Sequence, residues 1–143
     1  MREIRGQALV LDEPLSLWGG MDPATGEVID ARHPQRGAGL SGRVVVMPSA
    51  RGSSSSASVL AEAVRAGTAP AAIILGEPDL ILAIGAAVAE ELYGVFVPVV
   101  VADAGRLARI VDGADLRVAA DGTIEPWDGD LTLPQGKGPG SPR

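Results

Sequence analysis

The chain has no cysteine, so disulfides, thiolate nucleophiles and any iron–sulfur cluster held by its own sulfur ligands are excluded. It has a single histidine, His33, which cannot build a metal site alone. The principal ligands of any metal that takes part in this protein's chemistry must therefore arrive on another polypeptide. Aromatic residues amount to only 3%, which leaves Ala, Val, Leu and Ile to fill the core by close contact of small branched side chains. Basic residues number 12 against 18 acidic ones, a net charge of −6, and no stripe of Lys or Arg is present to neutralise phosphates, which sets nucleic acid aside as a partner. No apolar run reaches the ~20 residues that span a bilayer. The opening Met1-Arg2-Glu3-Ile4-Arg5 leads into no signal-type apolar segment, so no membrane partner is expected and the cytoplasm is the expected compartment.

What is present is enough apolar sequence for one compact domain: 46% of 143 residues, at a size that buries roughly 68–70% of the unfolded chain's surface. Apolar periodicity and turn punctuation predict a strand over 3–11 and a turn-rich loop over 15–26 that carries Gly19-Gly20 and Asp22-Pro23. A short strand over 27–30 follows, then a buried strand over 43–47 stopped by Pro48. A helix over 56–66 begins at serine, which acts as its cap, and ends at Gly67. Alternation then continues: a strand over 71–75, a helix over 79–92 with Gly85 as its weak point, a strand over 97–101, a short helix over 104–110, and strands over 116–119 and 123–125. The pattern is α/β, a compact sheet or partly closed barrel with helices packed outside it. The domain is expected to occupy 1–133. The tail 134–143, Pro-Gln-Gly-Lys-Gly-Pro-Gly-Ser-Pro-Arg, has too little apolar surface to offset its ordering entropy and is expected to be mobile.

The run Arg51-Gly52-Ser53-Ser54-Ser55-Ser56 lies between the predicted Val-Val-Val strand and the first long helix. Backbone N–H groups and hydroxyls just before a helix sit at the positive end of its dipole, where they bind anions. The same donors lower the energy of an alkoxide, so a serine there acts as a base when the site is dry. Ser53, the first after the glycine, is the candidate. Serine tracts also serve as flexible linkers or plain helix caps, but a linker rarely interrupts a short domain between a buried strand and an amphipathic helix. A Ser-His-Asp arrangement is disfavoured, because His33 is distant in sequence and has only Asp30 nearby.

Taken in order, the stretches 14–23 (PLSLWGGMDP), 25–30 (TGEVID), His33-Pro34, Arg51-Gly52-Ser53-Ser54, 69–74 (APAAII) and 84–89 (IGAAVA) resemble the small subunit of the aconitase X family across roughly residues 4–125. The resemblance implies a β/β/α swivelling domain that closes over a larger, iron-bearing part. It also implies a hydro-lyase activity present only when the large subunit is bound. In that arrangement Ser53 removes the proton next to a carboxylate while iron, or an iron–sulfur cluster, on the partner polarises the leaving hydroxyl. This chain itself binds no cofactor. Gly52, Ser54 and Ser55 are the expected substrate-binding residues, with Ser55 standing where standard aconitases carry an arginine, and Arg51 beside them either attracts the anionic substrate or is a solvated surface arginine. The glycines of the Trp18-Gly19-Gly20-Met21-Asp22 loop allow close backbone approach, so Trp18, Gly19, Gly20 and Asp22 line the cleft or the subunit interface, or else form a tight turn with Trp18 as packing. His33 is either a hydrogen-bond donor behind the site or a structural residue of its loop.

The family contains dehydratases for cis-3-hydroxy-L-proline and for mevalonate 5-phosphate, both small hydroxy-carboxylates. The Ala-, Arg- and Gly-rich composition favours the first. A phosphocarrier role, the other use of swivelling β/β/α domains, needs a histidine in the loop, and none lies between Gly37 and Gly67. A noncatalytic binding or assembly subunit remains the alternative of another class.

Overall fold

The computed structural model describes residues 2–127. The expected tail 134–143, and the last residues of the expected domain, 128–133, lie outside the described residues. Six strands form one sheet: β1 (Glu3–Val10), β2 (Val44–Met47), β3 (Ala72–Leu75), β4 (Val99–Val101), β5 (Asp115–Ala119) and β6 (Ile124–Pro126), in the order β4-β3-β2-β1-β5-β6. The four strands from β1 to β4 run parallel, in register Ala8↔Val44, Val44↔Ala72 and Ile73↔Val99. β5 and β6 add antiparallel pairs, beginning at Glu3↔Ala119 and Leu116↔Pro126.

Every residue of β2 and β3 is buried, as expected for strands at the middle of a parallel sheet covered on both faces. Val45, Met47, Ile73 and Leu75 point to one face, together with Leu9 and Leu11, and meet Leu60, Ala63, Leu82 and Ala86 of the helices. Val44, Val46, Ala72 and Ile74 point to the other and meet Val100, Leu116 and Val118. β5 is not a neighbour of β3 in the sheet, yet its Leu116 and Val118 share a cluster with Ile74. The sheet therefore curls around that face into a half-barrel.

Helix α2 (Ser56–Ala66) follows β2 and helix α3 (Leu80–Tyr93) follows β3, so both start at the sheet edge where the parallel strands end. Gly67 and Gly94 close them in left-handed conformation. Asp79 caps α3 by accepting from the Leu82 N–H. A last short helix, α4 (Ala104–Ala108), starts at Asp103, which accepts from the Arg106 N–H. The segment α1 (Leu17–Gly20) is a single turn broken at Trp18 and Gly19, whose backbones leave helical space.

Two details depart from the sequence reading. The expected strand over 27–30 reduces to isolated bridges, Glu27↔Gly39 and Met21↔Val28, because those residues pair within their own loop and no neighbouring strand is in reach to extend a ladder. Gly85 is not a weak point of its helix. A Cβ there would lie 2.9 Å from both the Cα and the carbonyl oxygen of Ala57, so the missing side chain is what lets α3 approach the first turn of α2.

That contact sets a direction for mutation. Alanine favours a helix over glycine by roughly 1 kcal/mol, but the clash with Ala57 costs about 1–3 kcal/mol as overpacking, so Gly85→Ala is expected to lower the urea midpoint of the chain. A raised midpoint would mean that the two helices separate at no cost.

Candidate active site

The chain leaves β2 through Pro48 and Ser49, and it leaves β1 through residues 11–14. The two exits run side by side. A parallel bridge joins Leu15 to Ala50 beyond the ends of both strands, and the Arg51 N–H donates to the Leu15 carbonyl at 3.4 Å. Leu15 and Leu17 are buried in the helix-side core. This anchoring holds the turn at 16–21 beside residues 51–56.

Within the serine run, Ser53 is half-buried while Arg51, Gly52, Ser54 and Ser55 are exposed. The Ser55 N–H donates to Ser53 Oγ at 3.3 Å, and the Ser56 N–H donates to the Ser53 carbonyl at 3.0 Å. Ser55 itself is the residue before α2, with φ −70 and ψ −14, and its side chain makes no capping bond. The expected serine cap is thus displaced. A capping side chain needs an extended backbone to reach over the first turn, and Ser55 is already helical, so the hydroxyl that takes up an amide at this end belongs to Ser53. That oxygen sits against an N–H at the positive end of an 11-residue helix, the electrostatic setting in which negative charge on oxygen is favoured.

Ser56, the first helical residue, is turned inward and is 3% exposed. Its Oγ accepts the Trp18 N–H at 3.2 Å and lies 3.5 Å from Ser16 Oγ, while Ser16 donates to the Trp18 carbonyl at 3.1 Å. Both backbone polar groups of Trp18 are therefore held, although the residue is 58% exposed. Gly19 has φ +80, a conformation that side chains rarely adopt. Gly20 is buried, and a Cβ there would lie 2.8 Å from Leu15 Cδ1, so its lack of a side chain lets the turn sit against the core.

Arg51 faces Glu13 at 3.8 Å, with both side chains more than half exposed. An ion pair so open to solvent is worth little, which leaves the guanidinium free to turn to an anion. Asp22 points elsewhere: its carboxylate accepts the Ala24 N–H at 2.9 Å within its own turn. His33 is buried at 4% exposure, with Nδ1 accepting the Gln35 N–H at 3.0 Å and Nε2 lying 2.9 Å from the Glu13 carbonyl. The first bond leaves Nδ1 without a proton, so Nε2 carries it and donates to Glu13. Asp30 accepts the Arg32 N–H and gives the ring nothing. His33 thus reaches the serine run only through the backbone of Glu13, the residue that Arg51 pairs with.

The structure therefore brings together Arg51 to Ser55 and the Trp18–Gly20 turn, and it engages Asp22 and His33 in holding loops. Sequence reasoning missed Ser16, Ser56 and Glu13. For Ser16 and Ser56 a faint signal existed, since each begins or flanks a turn next to a singled-out motif. Among the described residues no group of three or more His, Asp or Glu side chains comes close enough to hold a metal ion. Nor does any helix among them have the length and apolarity to cross a membrane.

The family model described as the aconitase X swivel domain matches residues 1–126. The phosphomevalonate dehydratase small subunit of Thermococcus onnurineus is 37% identical over 121 residues, 84% of this chain and 87% of that protein. The cis-3-hydroxy-L-proline dehydratase of Pseudomonas aeruginosa is 52% identical over 94 residues, 66% of this chain. That match spans only 16% of the relative's own length, as it does in the Hypocrea jecorina dehydratase of the same name. A crystal structure of Thermococcus kodakaraensis aconitase X in its holo form aligns with a TM-score of 0.76 and 32% identity, over 89% of this chain and 92% of that one. With a family match across nearly all described residues and the same curled sheet in a solved relative, the chain belongs to the aconitase X swivel-domain family.

Proposed function

We propose that the chain is the small subunit of a two-chain dehydratase, in which Ser53 is the base and a larger partner chain carries the metal. The observation that carries this reading is the position of Ser53 Oγ, half-buried at the start of α2 with the Ser55 N–H 3.3 Å away. In the dehydration direction the deprotonated Ser53 oxygen takes the proton from the carbon next to the substrate carboxylate. The C–H electron pair becomes the new C=C bond, and the hydroxyl on the adjacent carbon leaves with the electrons of its C–O bond. An alkoxide of serine is far too basic to persist in water, so the amide at the helix start and the exclusion of solvent must both act on it. Ser54, Ser55 and the backbone of Gly52 lie on the exposed side of the loop, where their donors suit a carboxylate. Arg51, held only by an open pair with Glu13, supplies the cation that this chain offers it.

The described residues lack a donor set for iron or an iron–sulfur cluster, so the proposal assigns that group to the large subunit and gives this chain no part in holding it. Exposed apolar side chains support a partner at this end. Trp18 lies beside the serine run, and Leu80 and Ile84 project from the first turns of α3 at 73% and 48% exposure. α3 begins at the same sheet edge. The relatives' organisation supports the same reading, because one named a small subunit matches along 87% of its length while another carries the matching region as 16% of a longer chain.

For the substrate, cis-3-hydroxy-L-proline is the first choice. It is supported by the 52% identity to a dehydratase of that name, and by a loop whose one cation suits a single carboxylate. Mevalonate 5-phosphate is the second, supported by the longer match to a phosphomevalonate dehydratase small subunit. The reconstituted pair of chains, supplied with each compound in turn, is expected to release water from cis-3-hydroxy-L-proline and to leave mevalonate 5-phosphate unchanged; the reverse preference would transfer the assignment to the second substrate.

Removing the base tests the chemistry directly. Ser53→Ala in the reconstituted enzyme is expected to lower kcat by about 10²–10⁴-fold, the usual contribution of a positioned proton acceptor, while lowering the unfolding free energy of the chain by only about 0.5–2 kcal/mol, the loss of one hydroxyl that takes up an amide at a helix start. A kcat within a few-fold of wild type would remove Ser53 from the role.

A further inference from the structure

The turn that carries Trp18 is tied to α2 more firmly than an exposed side chain warrants. A solvent-facing indole needs no fixed backbone, yet the Trp18 N–H is taken by the buried Ser56 Oγ and the Trp18 carbonyl by Ser16 Oγ, with the two hydroxyls 3.5 Å apart. Leu17 and Gly20 on either side are buried, and the turn departs from helical geometry only at Trp18 and Gly19. Ser56 also stands in the first turn of the helix whose start holds Ser53, three positions along the chain. One hydroxyl thus joins two loops that are 38 residues apart in sequence, one bearing the proposed base and the other a large apolar ring.

We propose that Ser56 is a positioning residue, whose hydroxyl locks the Trp18 backbone against the start of α2 so that the indole forms the apolar wall this chain contributes beside Ser53. The inference rests on the reading of Ser53 as the base and deepens it. A serine alkoxide requires a site from which water is excluded, and the turn tied to the start of α2 carries in Trp18 a large apolar side chain that remains exposed. Holding both polar groups of its backbone fixes the direction in which the Trp18 Cα–Cβ bond leaves the turn.

The test has two arms. In the full chain with Trp127→Phe, Trp18 is the single tryptophan left of the two and reports on its own turn. Adding Ser56→Ala is expected to lower the fluorescence anisotropy of Trp18 and raise its quenching by acrylamide, with Ser56→Thr, which keeps the hydroxyl, restoring both towards the parent. Ser16→Ala is expected to act in the same direction to a smaller extent, and serves as the readout if Ser56→Ala does not fold. Unchanged anisotropy and quenching in Ser56→Ala would overturn the lock. This arm needs neither partner nor turnover, so it stands apart from the fate of the Ser53 assignment.

The second arm uses the reconstituted enzyme. Misplacement of a catalytic element by about 1 Å costs on the order of 10²-fold, so Ser56→Ala and Trp18→Ala are each expected to lower kcat by about 10–100-fold with KM within a few-fold of wild type. Because both act through one ring, the double variant is expected to be no slower than Trp18→Ala alone, the non-additivity of residues that share a function. Losses that multiply in the double variant would show that Ser56 acts independently of Trp18 and would overturn the proposal.

Discussion

The alignment of β1 with β2, continued past both strand ends as the Leu15↔Ala50 bridge, is the constraint on which the site depends. Strands that run parallel and are covered on both faces must deliver all their exits to one edge of the sheet, and helices that return the chain must start there. The serine run, the Trp18 turn and the N-termini of α2 and α3 are four consequences of that one arrangement. None of them needs a residue of its own to be brought to the edge. What residue choice adds is the fine adjustment: Gly85 lets α3 close on Ala57, Gly20 lets the turn settle on Leu15, and buried Ser56 joins the turn to the helix.

Charge at this edge follows from the same geometry. The Ser53 oxygen meets an amide at the start of a helix, and the cation two residues before it, Arg51, is paired with Glu13 through a solvent-exposed contact. His33 buries its ring to hold the carbonyl of that same Glu13, which fixes the backbone from which the carboxylate is offered to Arg51. A guanidinium in a dry, tight pair would resist a competing anion; one in an open pair at 3.8 Å yields with little loss. Glycine and serines fill positions 52–56, which leaves Arg51 as the cation of the loop itself.

The sheet was legible from the sequence where burial is complete. Val44–Met47 and Ala72–Leu75 are continuous apolar runs because both faces are covered, and each helix that follows is marked by a left-handed glycine at its end. The segment 27–30 misleads, because alternation in a short run reads alike whether the partner is a strand or the residue's own loop. Gly85 misleads for a different reason: propensity assesses a helix alone, whereas this glycine answers to Ala57 on another helix. Residues 51–55 stand out in the sequence as a candidate site because they are contiguous. Ser16 and Ser56 do not, since the bonds that give them meaning span 38 and 40 residues and no periodicity encodes such a pairing.

The proposed role of Ser53 as a base also gives the chain a reason to keep its site open. Ser53 is half-buried and its neighbours are exposed, so in the isolated chain water competes for the same amide that stabilises the oxygen anion. Closing the site permanently within one small domain would bury Arg51 and the loop amides without partners, at a cost of several kcal/mol for the charge alone. The proposed division of the site between two chains would avoid that cost until a carboxylate arrived to neutralise the guanidinium and occupy the donors. On that reading the driest state would coincide with the presence of substrate, and the amide at the start of α2 would act most strongly on the Ser53 oxygen at the moment when there is a proton for it to take.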